Sequence, residues 1–218
     1  MVKLIIYDLD GTLIDSREDI ARAVNWTLRE FGFGKLTTEQ ISRFVGNGVK
    51  NLMQQALKEA GGPALPSLER SIKLFRKRYG EHLLDRTQLY PSVKKVLEHF
   101  KDRKQAVITN KPEDFSIKIL RGLGIDSYFF RVLGGDRGFP KKPAPEPVLE
   151  ILRTGGVSAD ESVLVGDSAT DVATGRNAGV RTFAVTYGFG ARAEIQKAEP
   201  YSILTDLEEL IKCPLLEK

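Results

Sequence analysis

Leu4-Ile5-Ile6-Tyr7-Asp8-Leu9-Asp10-Gly11-Thr12-Leu13 begins with four apolar residues and then changes character within one step. The apolar run reads as a short strand buried on both faces. Asp8 and Asp10 stand where that strand ends, and Gly11-Thr12 lets the backbone turn sharply. In open α/β sheets, ligands collect outside the carboxyl ends of the strands. One aspartate at such a place can attack an electrophile while the other moves a proton. Together they can hold a hard cation through oxygen.

Outward from this stretch, strand-like runs recur at 106–108, 132–133, 163–165 and 182–185. Helical patterns lie between them, at 91–100, 113–120, 147–152 and 171–178. Strands alternating with helices predict a parallel sheet covered on both faces. Residues 16–84 differ, because they contain no convincing strand. Ile20, Val24, Leu28 and Phe31 recur at helical spacing, as do Leu52, Met53, Ala56 and Leu57, then Leu68, Ile72 and Phe75. Glycines 32, 34, 46, 48, 61 and 62 punctuate them. The expected organisation is a discontinuous α/β core of residues 1–15 and 85–218, with an all-helical insertion over 16–84.

A length of 218 residues suits one large domain or a core with an insertion. No apolar run approaches membrane-spanning length, and the N-terminal one ends at Asp8, against a signal peptide. Cys213 is the sole cysteine, so no internal disulfide forms, which fits a cytoplasmic location. The 33 basic and 29 acidic residues leave +4, a mixed surface rather than a nucleic-acid stripe. The densest basic run, Arg70, Lys73, Arg76, Lys77 and Arg78, has the spacing of one solvated helix face. His82 and His99 have no partner pattern, and no P-loop signature occurs.

Three further motifs carry polar chemistry. Ala106-Val107-Ile108-Thr109-Asn110 ends a strand in a hydroxyl and an amide, which can donate to an anion or cap the next helix. Lys141-Lys142-Pro143-Ala144-Pro145-Glu146-Pro147 stiffens a loop around a lysine, which can neutralise a phosphate or simply face solvent. Val163-Leu164-Val165-Gly166-Asp167-Ser168-Ala169-Thr170-Asp171 ends a third strand in acid. Asp167 there can ligate a metal supported by Asp171, or Asp167 or Ser168 can cap a helix with Asp171 in its first turn. Independent caps would not supply this set at the strand ends of one sheet.

Asp8-x-Asp10-Gly11-Thr12, Thr109, Lys142-Pro143-x-Pro145 and Gly166-Asp167-Ser168-x-x-Asp171 resemble the four motifs of the haloacid dehalogenase superfamily, in order and across nearly the whole chain. The resemblance implies a Rossmann-like parallel sheet core with an inserted all-helical cap domain. It implies that Asp8 is the nucleophile and Asp10 the general acid and base. Thr109, with Asn110 beside it, would hold the phosphoryl group, and Gly11, Thr12 and Asn110 would bind substrate. Lys142, rather than the adjacent Lys141, matches the lysine that pairs with Asp8 and phosphate. The implied cofactor is Mg2+, held by Asp8, the backbone carbonyl of Asp10 and Asp167, with Asp171 in support. Dehalogenases of this superfamily lack an aspartate at the position of Asp10, so its presence favours phosphatase chemistry.

Within the superfamily the chain is most similar to phosphoglycolate phosphatases. That similarity implies a small phosphorylated metabolite as partner, in particular 2-phosphoglycolate, with no nucleic acid or membrane and a monomer or homodimer. Phe44-Val45-Gly46-Asn47-Gly48 reads as the cap loop, with the amides of Gly46, Asn47 and Gly48, or Lys50 beyond, meeting the substrate carboxylate; a plain turn is the alternative. A pyrophosphatase, a sugar-phosphate phosphatase or mutase, and a catalytically silent phospho-ligand or partner-binding protein are the other readings.

Overall fold

A computed structural model describes residues 1–61 and 68–216; Gly62, read above as helix punctuation, lies outside them. The chain divides into two compact units, Met1–Asp15 with Leu89–Lys218, and Ser16–Gln88.

The larger unit is built on six parallel strands. They are β1 (Leu4–Tyr7), β4 (Lys104–Ile108), β5 (Arg131–Leu133), β6 (Ser162–Gly166), β7 (Arg181–Val185) and β8 (Ser202–Leu204), in spatial order β5-β4-β1-β6-β7-β8. Two further strands, β2 (Ile14–Asp15) and β3 (Gln88–Leu89), form a small sheet of their own. Strand β1 is central: Leu4–Tyr7 pairs with Lys104 to Val107 on one side and Ser162 to Val165 on the other. This register puts Asp8, Thr109 and Asp167, each the first residue after its strand, at one end of the sheet. All four residues of β1 are fully buried, which explains their unbroken apolar character.

Helices α5 (Val93–His99), α6 (Glu113–Gly122), α7 (Glu146–Gly155), α8 (Ala169–Ala178) and α9 (Arg192–Lys197) complete this unit. Val148, Ile151 and Leu152 of α7 join Leu4, Ile6, Ala106, Ile108, Leu133 and Leu164 in one cluster. Each fully buried Leu, Ile or Val there contributes about 1.5–3 kcal/mol. Val172 of α8, Ala184 and Ile195 form a second cluster. Strand β8 is absent from the sequence reading. Its three residues follow Pro200, too short a run to show period-two alternation.

The helical unit holds α1 (Arg17–Glu30), α2 (Thr38–Ser42), α3 (Val49–Glu59) and α4 (Leu68–Glu81). Ile20, Val24 and Leu28 of α1 and Leu52, Met53, Ala56 and Leu57 of α3 are buried, as their periodicity requires. Helix α2 went unread, although Thr37 and Gln40 form a capping box, a legible signal for so short a helix. On α4, Arg78 lies over the Trp26 ring and Arg70 over the Phe31 ring, so part of the basic run covers aromatic surface of α1 and its end. Residues 85–88 group with this unit because Asp19 of α1 accepts hydrogen bonds from the Arg86 and Thr87 backbone amides and the Thr87 hydroxyl. No helix among the described residues is long and apolar enough to cross a membrane.

Candidate active site

Four of the sheet's loops bring charge to one end of it. Asp8 leaves β1, with its backbone amide still donating to Val165 of β6. Lys142, on the loop between β5 and α7, donates from Nζ to Asp8 Oδ1 at 2.6 Å and to Asp171 Oδ1 at 2.7 Å. It is 6% exposed, so the solvated-lysine alternative does not hold, whereas Lys141 beside it is exposed. The backbone of Lys142 is fixed by Asn110: Lys142 N donates to Asn110 Oδ1 at 3.0 Å, and Asn110 Nδ2 donates to the Lys142 carbonyl at 3.2 Å.

Ser168 caps α8, and Asp171 lies in its first turn in a reciprocal capping box. Asp171 Oδ2 accepts from Ser168 N at 3.1 Å, Ser168 Oγ at 2.6 Å and Asp167 N at 3.2 Å, while Oδ1 faces Lys142. One oxygen of Asp171 therefore serves the cap of α8 while the other anchors Lys142. The cap reading of Thr109 and Asn110 fails, since Pro112 occupies the N-cap of α6. Thr109 Oγ1 instead accepts from the Lys111 backbone amide at 3.2 Å.

Asp167 Oδ2 accepts from Phe189 N at 2.6 Å and Gly190 N at 3.3 Å. A Cβ on Gly11 or Gly188 would run into the Asp167 carboxylate, and Gly11 has φ +89°. Only glycine satisfies both the turn and the approach at Gly11. Thr12 is fully buried; its carbonyl accepts from Tyr187 Oη at 2.8 Å, and its own Oγ1 has no hydrogen-bond partner among the described residues.

Asp8, Asp167 and Asp171 each offer an oxygen within 4.8 Å of the others, all buried. Burial pushes the Asp8 carboxyl up to about 7 against the pull of Lys142, with Asp171 and Asp10 adding like-charge repulsion. Asp167 is pushed well above the ordinary range by burial, then by Asp171 and Asp8. Burial works against the Lys142 charge, but Asp171 and Asp8 outweigh it and raise its pKa. One ammonium among three buried carboxylates leaves negative charge uncompensated. An all-oxygen, over-charged cluster fits a hard divalent cation.

Asp10 is held differently. Lys111 Nζ stands 2.7 Å from Asp10 Oδ1 and 3.0 Å from Oδ2, with the two side chains 5% and 10% exposed. Lys111 and the Tyr187-Gly188-Phe189-Gly190 loop were missed in the sequence. A glycine-rich loop after a strand was a visible signal for the second, whereas nothing local marks Lys111 as reaching Asp10. The remaining expected site residues, Gly46, Asn47, Gly48 and Lys50, belong to the helical unit. Gly46 and Gly48 have φ +106° and +83°, Gly48 is the N-cap of α3, and Gly46, Asn47 and Lys50 are exposed. His82 Nδ1 faces Asp85 Oδ2 at 2.9 Å, also in that unit, and His99 packs edge-on against Phe100.

A parallel sheet with Asp8, Asp10, Thr109, Lys142 and Asp167 on the loops at its carboxyl end, and Asp171 in the first turn of α8, defines a class of hydrolase. Residues 5–185 match the family model of the haloacid dehalogenase-like hydrolases, and the chain belongs to that family. It is 37% identical to a phosphoglycolate phosphatase of Aquifex aeolicus (strain VF5) over 86% of each chain. It is 36% identical to that of Vibrio parahaemolyticus over 97% of this chain and 95% of the relative. A crystal structure of a predicted phosphoglycolate phosphatase from Haemophilus somnus 129PT superposes with a TM-score of 0.93 at 32% identity, covering 97% of both chains. The protein is thus a phosphoglycolate phosphatase-like hydrolase of the haloacid dehalogenase family, with the helical insert that this fold carries as a cap.

Proposed function

We propose that this protein hydrolyses 2-phosphoglycolate to glycolate and phosphate through an aspartyl-phosphate on Asp8. The observation that carries the reading is the buried Lys142 bridge between Asp8 and Asp171, 2.6 and 2.7 Å from their oxygens, beside the clustered Asp167. The names of relatives at 36–37% identity supply the substrate.

A phosphate dianion approaching Asp8 meets repulsion from the cluster of Asp8, Asp167 and Asp171. Lys142 offsets part of it and orients Asp8 Oδ1. Asp8 attacks phosphorus, the ester P–O bond breaks, and the departing glycolate oxygen takes a proton from Asp10. Water then attacks phosphorus of the acyl phosphate, Asp10 takes its proton, and phosphate leaves with the Asp8 carboxylate restored. The Thr109 hydroxyl holds the transferring oxygens. Asp8, Asp167 and the Asp10 carbonyl would hold Mg2+, which supplies charge neutralisation at the phosphoryl oxygens. Asp171 keeps Lys142 in place.

The test is phosphate release from 2-phosphoglycolate, pyrophosphate, hexose phosphates and nucleotides, with magnesium and with chelator. Magnesium-dependent release led by 2-phosphoglycolate, and lost in Asp8→Asn, is the expected result. A different leading substrate overturns the substrate assignment, and full activity of Asp8→Asn overturns the nucleophile.

A further inference from the structure

We propose that Lys111 is a positioning residue that holds the Asp10 carboxylate for its base step, the attack of water on the phospho-enzyme; this rests on the acid and base roles read for Asp10.

The loop after β4 fixes the Lys111 end of the arrangement. Thr109 N donates to Leu133 O at 3.0 Å, Lys111 N to Thr109 Oγ1 at 3.2 Å, and Gly135 N to the Lys111 carbonyl at 2.9 Å. Asn110, between Thr109 and Lys111, is bound twice to the Lys142 backbone. Lys111 therefore projects from a braced backbone. Its Nζ reaches across to the loop after β1 and lies within hydrogen-bond distance of both Asp10 oxygens. A single oxygen contact would leave the carboxylate free to turn about Cβ–Cγ, whereas contact with both fixes that rotation.

Burying this pair is a poor way to gain stability, because desolvation of both charges offsets most of their attraction. What it does provide is geometry, and geometry at Asp10 matters because a proton must be taken from water at one place. The ammonium pairs with the ionised carboxylate, the form that accepts the proton. The departure of the ester oxygen uses the protonated form, so Lys111 bears on the second step more than the first.

The test uses para-nitrophenyl phosphate, whose good leaving group needs no acid, in rapid-mixing experiments on the magnesium-loaded protein. In Lys111→Met the burst of nitrophenolate is expected to stay within about threefold of wild type, while steady turnover falls about 10–100-fold, the range for removing a partner that orients a reactive group. Phospho-enzyme accumulates, and KM falls in step with turnover so that kcat/KM stays within about threefold of wild type. In an Asp10→Asn background the same substitution costs nothing further. Should Lys111→Met not fold, Lys111→Arg and Lys111→Gln serve, with the arginine keeping the faster steady rate at equal bursts. Equal losses in burst and turnover, a raised KM alone, or additive losses with Asp10→Asn overturn the proposal and leave the role of Asp10 standing. No loss in Asp10→Asn alone overturns the acid and base reading, and the Lys111 proposal falls with it.

Discussion

Lys142 is pinned between Asp8 and Asp171, 2.6 Å from the first and 2.7 Å from the second, with almost no solvent access. Asp8 directly follows β1 and Asp171 sits in the first turn of α8, so this ammonium ties the loop after β1 to that helix. Removing it in Lys142→Met leaves buried carboxylates unpaired, at a cost of about 3–5 kcal/mol. Turnover is expected to fall on the order of 10²–10³-fold, as when one stabilising donor of a reacting centre is lost. Urea unfolding of the metal-free protein and steady-state rates check the two effects separately. In Asp171→Asn the cap on α8 keeps an oxygen acceptor while Lys142 loses a charged anchor, so activity drops further than stability.

The acid cluster makes the metal-free protein sensitive to pH. Asp8 rises from an ordinary value near 3.8 to about 7 on folding, so the folded state binds the extra proton between those limits. Its contribution is fully present below about 4 and is lost as pH rises through about 7. Asp167 shifts in the same direction. The melting temperature of chelator-treated protein is therefore expected to fall from pH 5 to pH 7.5. Magnesium should raise it more at pH 7.5 than at pH 5, because ligands must be ionised to bind. Asp8→Asn flattens the metal-free profile.

Gly11 and Gly32 separate strain from crowding. Both have positive φ, +89° and +76°, yet a Cβ on Gly11 meets Asp167 whereas one on Gly32 meets nothing within 4 Å. Alanine at either place pays about 1–2 kcal/mol for the left-handed backbone. Only Gly11→Ala should also displace Asp167, lowering magnesium affinity by about tenfold or more. Calorimetric titration of both variants with magnesium checks this, and equal affinities would refute it.

Asp19 anchors the end of the helical unit. Its Oδ2 accepts three hydrogen bonds, at 2.9 Å from Arg86 N, 2.8 Å from Thr87 N and 2.8 Å from Thr87 Oγ1. Asp19→Ala strands two backbone donors, one of them on the buried Thr87, for about 2–4 kcal/mol. Hydrogen exchange at Arg86 and Thr87 should quicken in that variant well before the sheet strands respond.

Much of this molecule is written locally. The unbroken apolar run of β1, the period of Ile20, Val24 and Leu28 in α1, and the change from strand to helix along the core all follow from burial on two faces or one. Strand β8 and helix α2 escaped because three and five residues are too few to display a period. Asp8 and Asp167 were legible because charge directly after a buried strand is conspicuous, and Asp10 and Asp171 follow close behind them in the chain.

The α/β class, the strand ends that carry acid, and the insertion between the first and second core strands are all legible along the chain. Each depends on neighbours within a few residues. Tertiary structure alone decided the partners: Lys142 with both Asp8 and Asp171, Asn110 with the Lys142 backbone, Lys111 with Asp10, and Gly11 against Asp167. These contacts join residues 29 to 156 positions apart, none of them within a single element, and they exist because parallel pairing sets β1, β4 and β6 side by side in register. A long side chain on one strand-end loop then meets whatever its neighbour presents, and no local pattern records which oxygen that is.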